Sequence, residues 1–321
     1  MPLSLIARER VACPVCGVSR SGERVASGWD FEYGTTREEF GLVRCGGCGL
    51  IYLDDRPARQ SVSVIYPVNY YSYSETKHEN GFVKYFRDKL ESGKIRVCAD
   101  CIESKGPISI YDLGCGDGRL LSVMSHSFSQ PVYLSGIEIS DTAAAAARSK
   151  GYNVTSGDFE DYDLKSNSRA YDLIFMHQVL EHTREPRLVI RKIHAMLKNG
   201  GVLSLETPDT VSWDFFLFKR RYWGGYHIPR HFYLFNRASL CRLLVEEGFE
   251  IVTCKHLLSP VFWIHSIHNV LTEKRRFERL AVFFHYQNPF LLVIASFIDV
   301  IQVVFAKSSS NMQILARKKG P

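Results

Sequence analysis

A chain of 321 residues has room for roughly two domains of about 150 residues and for a sizeable buried core. Its 45% hydrophobic, 12% aromatic and 23% charged residues match folded soluble proteins, which excludes collagen, low-complexity disorder and disulfide miniproteins. Forty Lys and Arg against 34 Asp and Glu leave +6, a diffuse excess that suits an anionic substrate or a membrane surface and predicts no nucleic-acid partner. The opening MPLSLIARERVACPVC lacks the apolar run of a secretory signal, so the chain is expected in a reducing cytoplasm. Its nine cysteines then point to thiol or metal chemistry before disulfides.

Residues 1–52 read as turn-rich and strand-poor, with two knuckles, Cys13-Pro-Val-Cys16-Gly and Cys45-Gly-Gly-Cys48-Gly. Zinc takes four thiolates in tetrahedral geometry, and each C-x-x-C turn supplies two, so Cys13, Cys16, Cys45 and Cys48 are expected to hold structural zinc in a ribbon. The 28 residues between the pairs are tolerated because closure entropy grows slowly with loop length. Residues 53–80 form an aromatic linker, Ile65 to Tyr73 at its centre, that either packs between domains or closes over a pocket as a lid. A helix is expected from Phe82 to about Ser104, and Cys98 and Cys101 inside it read as packing residues.

From residue 108 short apolar runs alternate with amphipathic helices, the pattern of a doubly wound α/β sheet. Strands are predicted at Ile108–Asp112, Val132–Glu138, Asn153–Ser156, Tyr171–Met176, Gly201–Glu206, Phe249–Cys254 and Met312–Ala316. Helices are predicted from Gly118 onward and at Thr142–Lys150, Pro186–Lys198 and Arg237–Glu247. The first strand runs into Asp112-Leu113-Gly114-Cys115-Gly116-Asp117-Gly118-Arg119, a loop in which a ligand can touch backbone N–H groups without meeting side chains. The glycines recur every second residue and Arg119 follows, which departs from the dinucleotide spacing and argues against an NAD-dependent oxidoreductase.

Asp112, Gly114, Gly116 and Gly118 resemble the first motif of the class I S-adenosylmethionine-dependent methyltransferases. The resemblance implies a seven-stranded methyltransferase domain over residues 81–321, with S-adenosylmethionine held by the loop, Cys115 included, and by His177. It implies that Glu138, in Gly136-Ile137-Glu138-Ile139-Ser140, accepts the ribose hydroxyls beside Ile139. Asp158 would meet the adenine amino group and Phe159 would pack on the ring.

The fourth strand leads into His177-Gln178-Val179-Leu180-Glu181-His182, at the sheet edge where doubly wound folds bind ligands. The Glu-His pair is similar to the ubiquinone-biosynthesis branch of small-molecule methyltransferases, some of which hold a divalent metal there. Gln178 stands where that branch has its first Glu, and a neutral amide weakens a hard-cation site. His182 is then the candidate base, with Glu181, His177 and His231 as further catalytic candidates. The plainer alternative makes Glu181 a helix cap and His182 a bridge to backbone. The aromatic segment from Trp213 to Phe235, which contains His231, reads as a lid or the floor of an acceptor pocket.

Residues 256–310 form a helical insertion before the last strand. On a wheel Asn288, Ser296, Asp299, Gln302 and Lys307 fall within about 140°, leaving a broad apolar face and one wet stripe. A single bilayer crossing would part the last strand from its sheet, so the insertion packs on its own domain, dimerises, or lies at a membrane interface with its basic turn against anionic lipid. The expected protein is a cytoplasmic methyltransferase, peripheral on the inner membrane face if the last course holds. Zinc-bearing amino-terminal modules also occur in sugar C-methyltransferases, which the layout resembles. The acceptor is thus a small molecule: a sugar, a quinone-like ring, a polyketide or a lipid-linked glycan. The rival from another class is an inactive S-adenosylmethionine-binding scaffold that holds a partner through the ribbon.

Overall fold

The computed structural model describes residues 6–18, 22–67, 70, 81–103, 106–164, 168–274, 278–285 and 288–320. Most of the aromatic run after Pro67 and the basic turn at 275–277 lie outside the described residues. In chain order the elements begin with β1 (Arg8–Arg10), β2 (Gly22–Gly28), β3 (Phe40–Cys45), β4 (Ile51–Leu53), β5 (Asp55–Pro57), α1 (Val62–Ile65) and α2 (Gly81–Ala99). They continue with β6 (Ile108–Leu113), α3 (Arg119–Met124), β7 (Val132–Glu138), α4 (Asp141–Ser149), β8 (Asn153–Ser156), β9 (Tyr171–His177), α5 (Pro186–Met196) and β10 (Leu197–Pro208). The rest are α6 (Trp213–Phe218), β11 (Tyr233–Leu234), α7 (Arg237–Glu246), β12 (Phe249–Leu257), α8 (Pro260–Glu273), α9 (Glu278–Phe283), α10 (Pro289–Ile301) and β13 (Asn311–Lys318).

The chain divides into two compact units, one of residues 1–67, 207–242 and 255–313, the other of 68–206, 243–254 and 314–321. In the first, the amino-terminal residues are not strand-poor: β2, β3, β4 and β11 form a four-stranded sheet in the order β11-β4-β3-β2, and β1 pairs antiparallel with β5. Phe40, Leu42 and Cys45 of β3 and all of β4 are buried, which outweighs the turn residues between them. Because β11 comes from residues 233–234 and pairs antiparallel with β4, the cysteine-bearing segment is not a self-contained ribbon ending at residue 52. Residues 53–67, expected as linker, carry β5 and α1 in the same unit. Arg230 joins these stretches: its fully buried guanidinium donates to Asp30 at 2.6 and 3.0 Å and to the Ile65 carbonyl at 2.8 Å. Removing either charge would strand the other in a dry interior.

The aromatic segment after Trp213 is chiefly core, not lid. Trp223 is fully buried, with the rings of Phe215, Tyr226 and Phe262 5.1–5.8 Å away, and its indole N–H donates to Asp214 at 2.7 Å. The wet stripe of α10 is turned around at two of its five residues, while Lys307 stays exposed. Asp299 and Gln302 are fully buried: Asp299 accepts from the Ser259 N–H and from Trp263 Nε1 at 3.0 Å, and Gln302 accepts from the Trp213 N–H at 2.8 Å. The apolar side of α10 faces outward instead.

The second unit holds the expected doubly wound architecture. Its seven-stranded sheet runs β12-β13-β10-β9-β6-β7-β8, with β9 and β6 parallel in register Tyr111↔Ile174 and β6 and β7 in register Asp112↔Gly136. β9 is buried through six consecutive residues, as a central parallel strand must be. α4 is capped by Ser140, which accepts from the Ala143 N–H at 3.3 Å, and buries Ala143, Ala144 and Ala147, small residues that let a helix approach a sheet closely. α5 starts at Pro186, a residue preorganised for a first turn, and buries Val189, Ile190, Ile193 and Met196 at helical spacing.

Candidate functional site

The carboxyl end of β6 opens on a cleft of about 1370 Å³ lined by Asp112, Gly114, Cys115, Gly116, Arg119, His177, Gln178 and Glu206, with α2 along one wall. Two glycines shape it. Gly114 has φ +79°, and a Cβ there would lie 2.6 Å from Val179 Cγ2; Gly136 on β7 leaves room for the loop, since a Cβ would meet the Asp112 carbonyl at 2.7 Å. Both are places where an L side chain would push the loop away from its sheet. Glu138 ends β7 behind this loop. One carboxylate oxygen accepts from the Gly116 N–H and the other from the Ser140 N–H, each at 2.9 Å, which fixes the carboxylate with lone pairs remaining for hydroxyl donors.

The cleft floor is strongly polar and mostly buried. Lys94 of α2 lies 2.9 Å from both Glu206 and Glu91. Although burial opposes it, these carboxylates carry Lys94 above the usual lysine range. Glu91, His177 and Glu206 bring ligand atoms within 4.8 Å of one another, but the ammonium already occupies the cation's place between the two carboxylates. His177 Nδ1 lies 3.5 Å from Glu206 and Nε2 bonds to Ser204 Oγ at 3.0 Å. Burial, with Lys94 adding to it, brings His177 down to about 3, so it is neutral at physiological pH. Gln178 adopts φ +54° and donates its N–H to the Glu206 carbonyl at 2.8 Å, which turns the chain into the 3-10 turn Leu180–His182.

Residues 82–254 match the family model described as a methyltransferase domain, more than half of the chain. The chain belongs to this methyltransferase-domain family. It is 25% identical over 123 residues to a trans-aconitate 2-methyltransferase of Deinococcus radiodurans, covering 38% of this chain and 46% of that protein. It is 28% identical over 167 residues to a ubiquinone biosynthesis O-methyltransferase of Thiobacillus denitrificans, covering 46% of this chain and 68% of that one. The chain thus spans about half the length of the first of these relatives. A solved SAM-dependent methyltransferase from Archaeoglobus fulgidus aligns with a TM-score of 0.46 at 20% identity, over 74% of this chain and 98% of that one.

Within the methyltransferase domain, the expected cofactor residues fall into two groups. Asp112, Gly114, Cys115, Gly116 and His177 line the cleft. Gly118 caps α3 at φ +82°, Glu138 acts on the loop from behind, and Ile139 is exposed. Asp158 accepts from the Glu160 N–H at 2.8 Å. Phe159 is buried, with Tyr162 stacked at 6.1 Å and the Lys192 ammonium 5.8 Å from its ring centroid. Glu181 is fully buried and His182 half-buried in their 3-10 turn. His231 belongs to the other unit, where its Nδ1 bonds to the Gly225 carbonyl at 2.8 Å.

Two further groups shape the site beyond the residues expected from the sequence. Asp88, Glu91 and Lys94 recur every third residue along α2, and Asp88 meets Arg119 at 2.9 Å; that spacing was the available signal. Lys192 of α5 donates to the carbonyls of Phe159, Glu160 and Tyr162 at 2.7–3.2 Å and so pins the loop after β8. Apart from this cleft, Asp209 of the first unit is fully buried, 3.7 Å from His256 Nδ1, and burial pushes its carboxyl up to about 7.

The pocket's charge predicts a pH dependence. Burial, reinforced by Glu138 and opposed by Arg119, pushes the Asp112 carboxyl up to about 7. Its folded pKa lies above the unfolded one, so its contribution to stability is fully present below about pH 4 and is lost as pH rises through about 7. A bound cation favours the ionised form, so affinity for S-adenosylmethionine should rise up to tenfold per unit between about pH 5 and about pH 7 and then level off. Calorimetric titration across that range checks this, and a flat affinity would show that Asp112 does not titrate there.

The four cysteines of the knuckles converge in the first unit. Cys13 Sγ lies 3.5 Å from Cys48 Sγ and Cys16 Sγ 3.3 Å from Cys45 Sγ, and all four sulfurs fall within 4.8 Å of one another. Tetrahedral zinc with bonds of about 2.3 Å sets sulfurs about 3.8 Å apart, so the donor set fits the ion. Against burial, hydrogen bonds from Cys16 and from the N–H groups of Cys48 and Gly47 bring the Cys45 thiol down to about 7, while burial pushes Cys48 up to about 11. Cys98 and Cys101 instead donate to carbonyls one turn back in α2, those of Lys94 and Val97.

Proposed function

We propose that the chain is an S-adenosylmethionine-dependent methyltransferase acting on a small-molecule acceptor, with structural zinc held by Cys13, Cys16, Cys45 and Cys48. The observation that carries this is the side-chain-free loop at Gly114–Gly116 backed by the fixed carboxylate of Glu138, in a chain of the methyltransferase-domain family. Glu138 would hold the ribose and Asp158 with Phe159 the adenine. When bound, S-adenosylmethionine supplies an already activated methyl group, which leaves little covalent chemistry to the protein. The chain's own residues position the acceptor, exclude water and receive its proton.

Among the histidines of the second unit, His177 is held neutral by burial and bonded to Ser204, which makes it an orienting group. His182, half-buried at the carboxyl edge of β9, is the residue we assign to accept the proton. Transfer goes to oxygen or to an activated carbon of a sugar, quinone-like ring, polyketide or lipid-linked glycan. We place the enzyme in the cytoplasm, with the 256–310 segment on the inner face of the membrane.

Incubation with methyl-labelled cofactor and a panel of such acceptors tests the reading: label in a small-molecule product supports it, and tight binding without transfer to any acceptor favours a scaffold. His182→Ala should slow transfer by about 10² to 10⁴-fold while leaving cofactor affinity nearly unchanged. Unaltered turnover would remove His182 from the mechanism.

A further inference from the structure

An amphipathic helix on a soluble protein normally buries its apolar stripe and wets its polar one. α10 does the reverse. Ala295, Asp299 and Gln302, one turn apart, face inward, and the two polar side chains are bonded to Ser259, Trp263 and Trp213. On the other side Phe290, Val293, Phe297, Val304 and Phe305 are 60–78% exposed. They form an apolar strip on an 18-residue rod, 289–306, about 27 Å long at 1.5 Å per residue. Contiguous apolar surface of this kind on a soluble unit marks a contact site.

The surroundings indicate what covers it. The Trp213–Gln302 bond ties the start of α6 to the end of the rod, and α6 exposes Phe216 and Leu217. Exposed Lys219 and Arg220 follow, the Lys219 ammonium 5.3 Å from the Phe216 ring centroid. Lys255, Lys274 and Lys307 are exposed as well, whereas of the acids Asp299 is buried and Glu273 is paired with Arg221 at 2.7 Å. An apolar strip in a cationic setting matches the interface of a bilayer containing anionic lipid.

We infer that the outward strip of α10 is a lipid-binding surface, with the helix lying in the headgroup region of an anionic bilayer and its apolar side toward the acyl chains. This deepens the membrane placement and is independent of methyl transfer. A second copy of the chain fits less well, because a two-fold interface sets the same patch against itself and brings like charges together. A spanning course is ruled out by the inward bonds, since crossing would carry Asp299 and Gln302 away from their partners into hydrocarbon. Such a surface suits an acceptor presented at a membrane, lipid-linked or strongly apolar.

Flotation of the full chain with phosphatidylcholine vesicles, with and without phosphatidylglycerol, tests the inference alongside the surface variant Val293→Glu/Phe297→Glu. Wild type should float with the anionic vesicles only. The double variant should bind at least about tenfold less while keeping its melting temperature and its affinity for S-adenosylhomocysteine. A variant that floats like wild type would overturn the strip and leave the membrane placement standing. Wild type that floats with neither vesicle would overturn both, and a wild-type dimer dissolved by the double substitution would assign the strip to a second copy.

Discussion

Replacing Gly114 with valine should lower affinity for S-adenosylmethionine by more than about 100-fold, because a loop displacement costing even 3 kcal/mol is already about 150-fold. Two costs combine at this position. The backbone sits at φ +79°, where a β-branched residue is strained, and the new Cβ would begin 2.6 Å from Val179 Cγ2, inside any tolerated contact. The loop relieves both by moving into the cleft it lines. Titration with S-adenosylhomocysteine measures the loss, and thermal melting shows whether the sheet has kept its fold. Glu138→Gln gives a gentler check on the same pocket: it keeps the size and loses the charge that two backbone N–H groups orient, so a tenfold weakening is expected with little change in melting. Wild-type affinity in both variants would place the nucleoside elsewhere.

The second large effect concerns the cysteine cluster. Cys45→Ser/Cys48→Ser should release one zinc ion per chain and unfold the first unit. Structural zinc contributes on the order of 10 kcal/mol to folding in small zinc-bound modules, comparable with the whole stability of a domain. β3 ends at Cys45 and β4 follows the second knuckle directly, so the four-stranded sheet would lose the turn that joins two of its strands. Native mass spectrometry reads the metal and circular dichroism reads the fold. Wild type prepared with zinc present yet carrying none would contradict the assignment.

The sheet of the second unit was legible because its signals are local. Val132–Glu138 and Asn153–Ser156 are apolar or β-branched runs bounded by turn residues, and they form strands over the same residues. The loop at 114–118 was legible because only glycine suits its backbone. Non-local choices were not. β11 is two residues long and gains its place by pairing with β4 across some 180 positions, which no periodicity reports. A helical wheel separates Asp299 and Gln302 from their apolar neighbours but does not say which side faces inward; the donors of Ser259, Trp263 and Trp213 decide that. Glu91 and Lys94, three residues apart on α2, take their place at the cleft from Glu206, which helical spacing alone does not report.

The most direct test is the structure of the protein in complex with S-adenosylhomocysteine. The nucleoside should lie in the cleft above Asp112, with its ribose hydroxyls on Glu138 and its amino-acid end against the backbone of Gly114 and Gly116. Density for it at any other place, or a ribose bound without Glu138, would overturn this cofactor site.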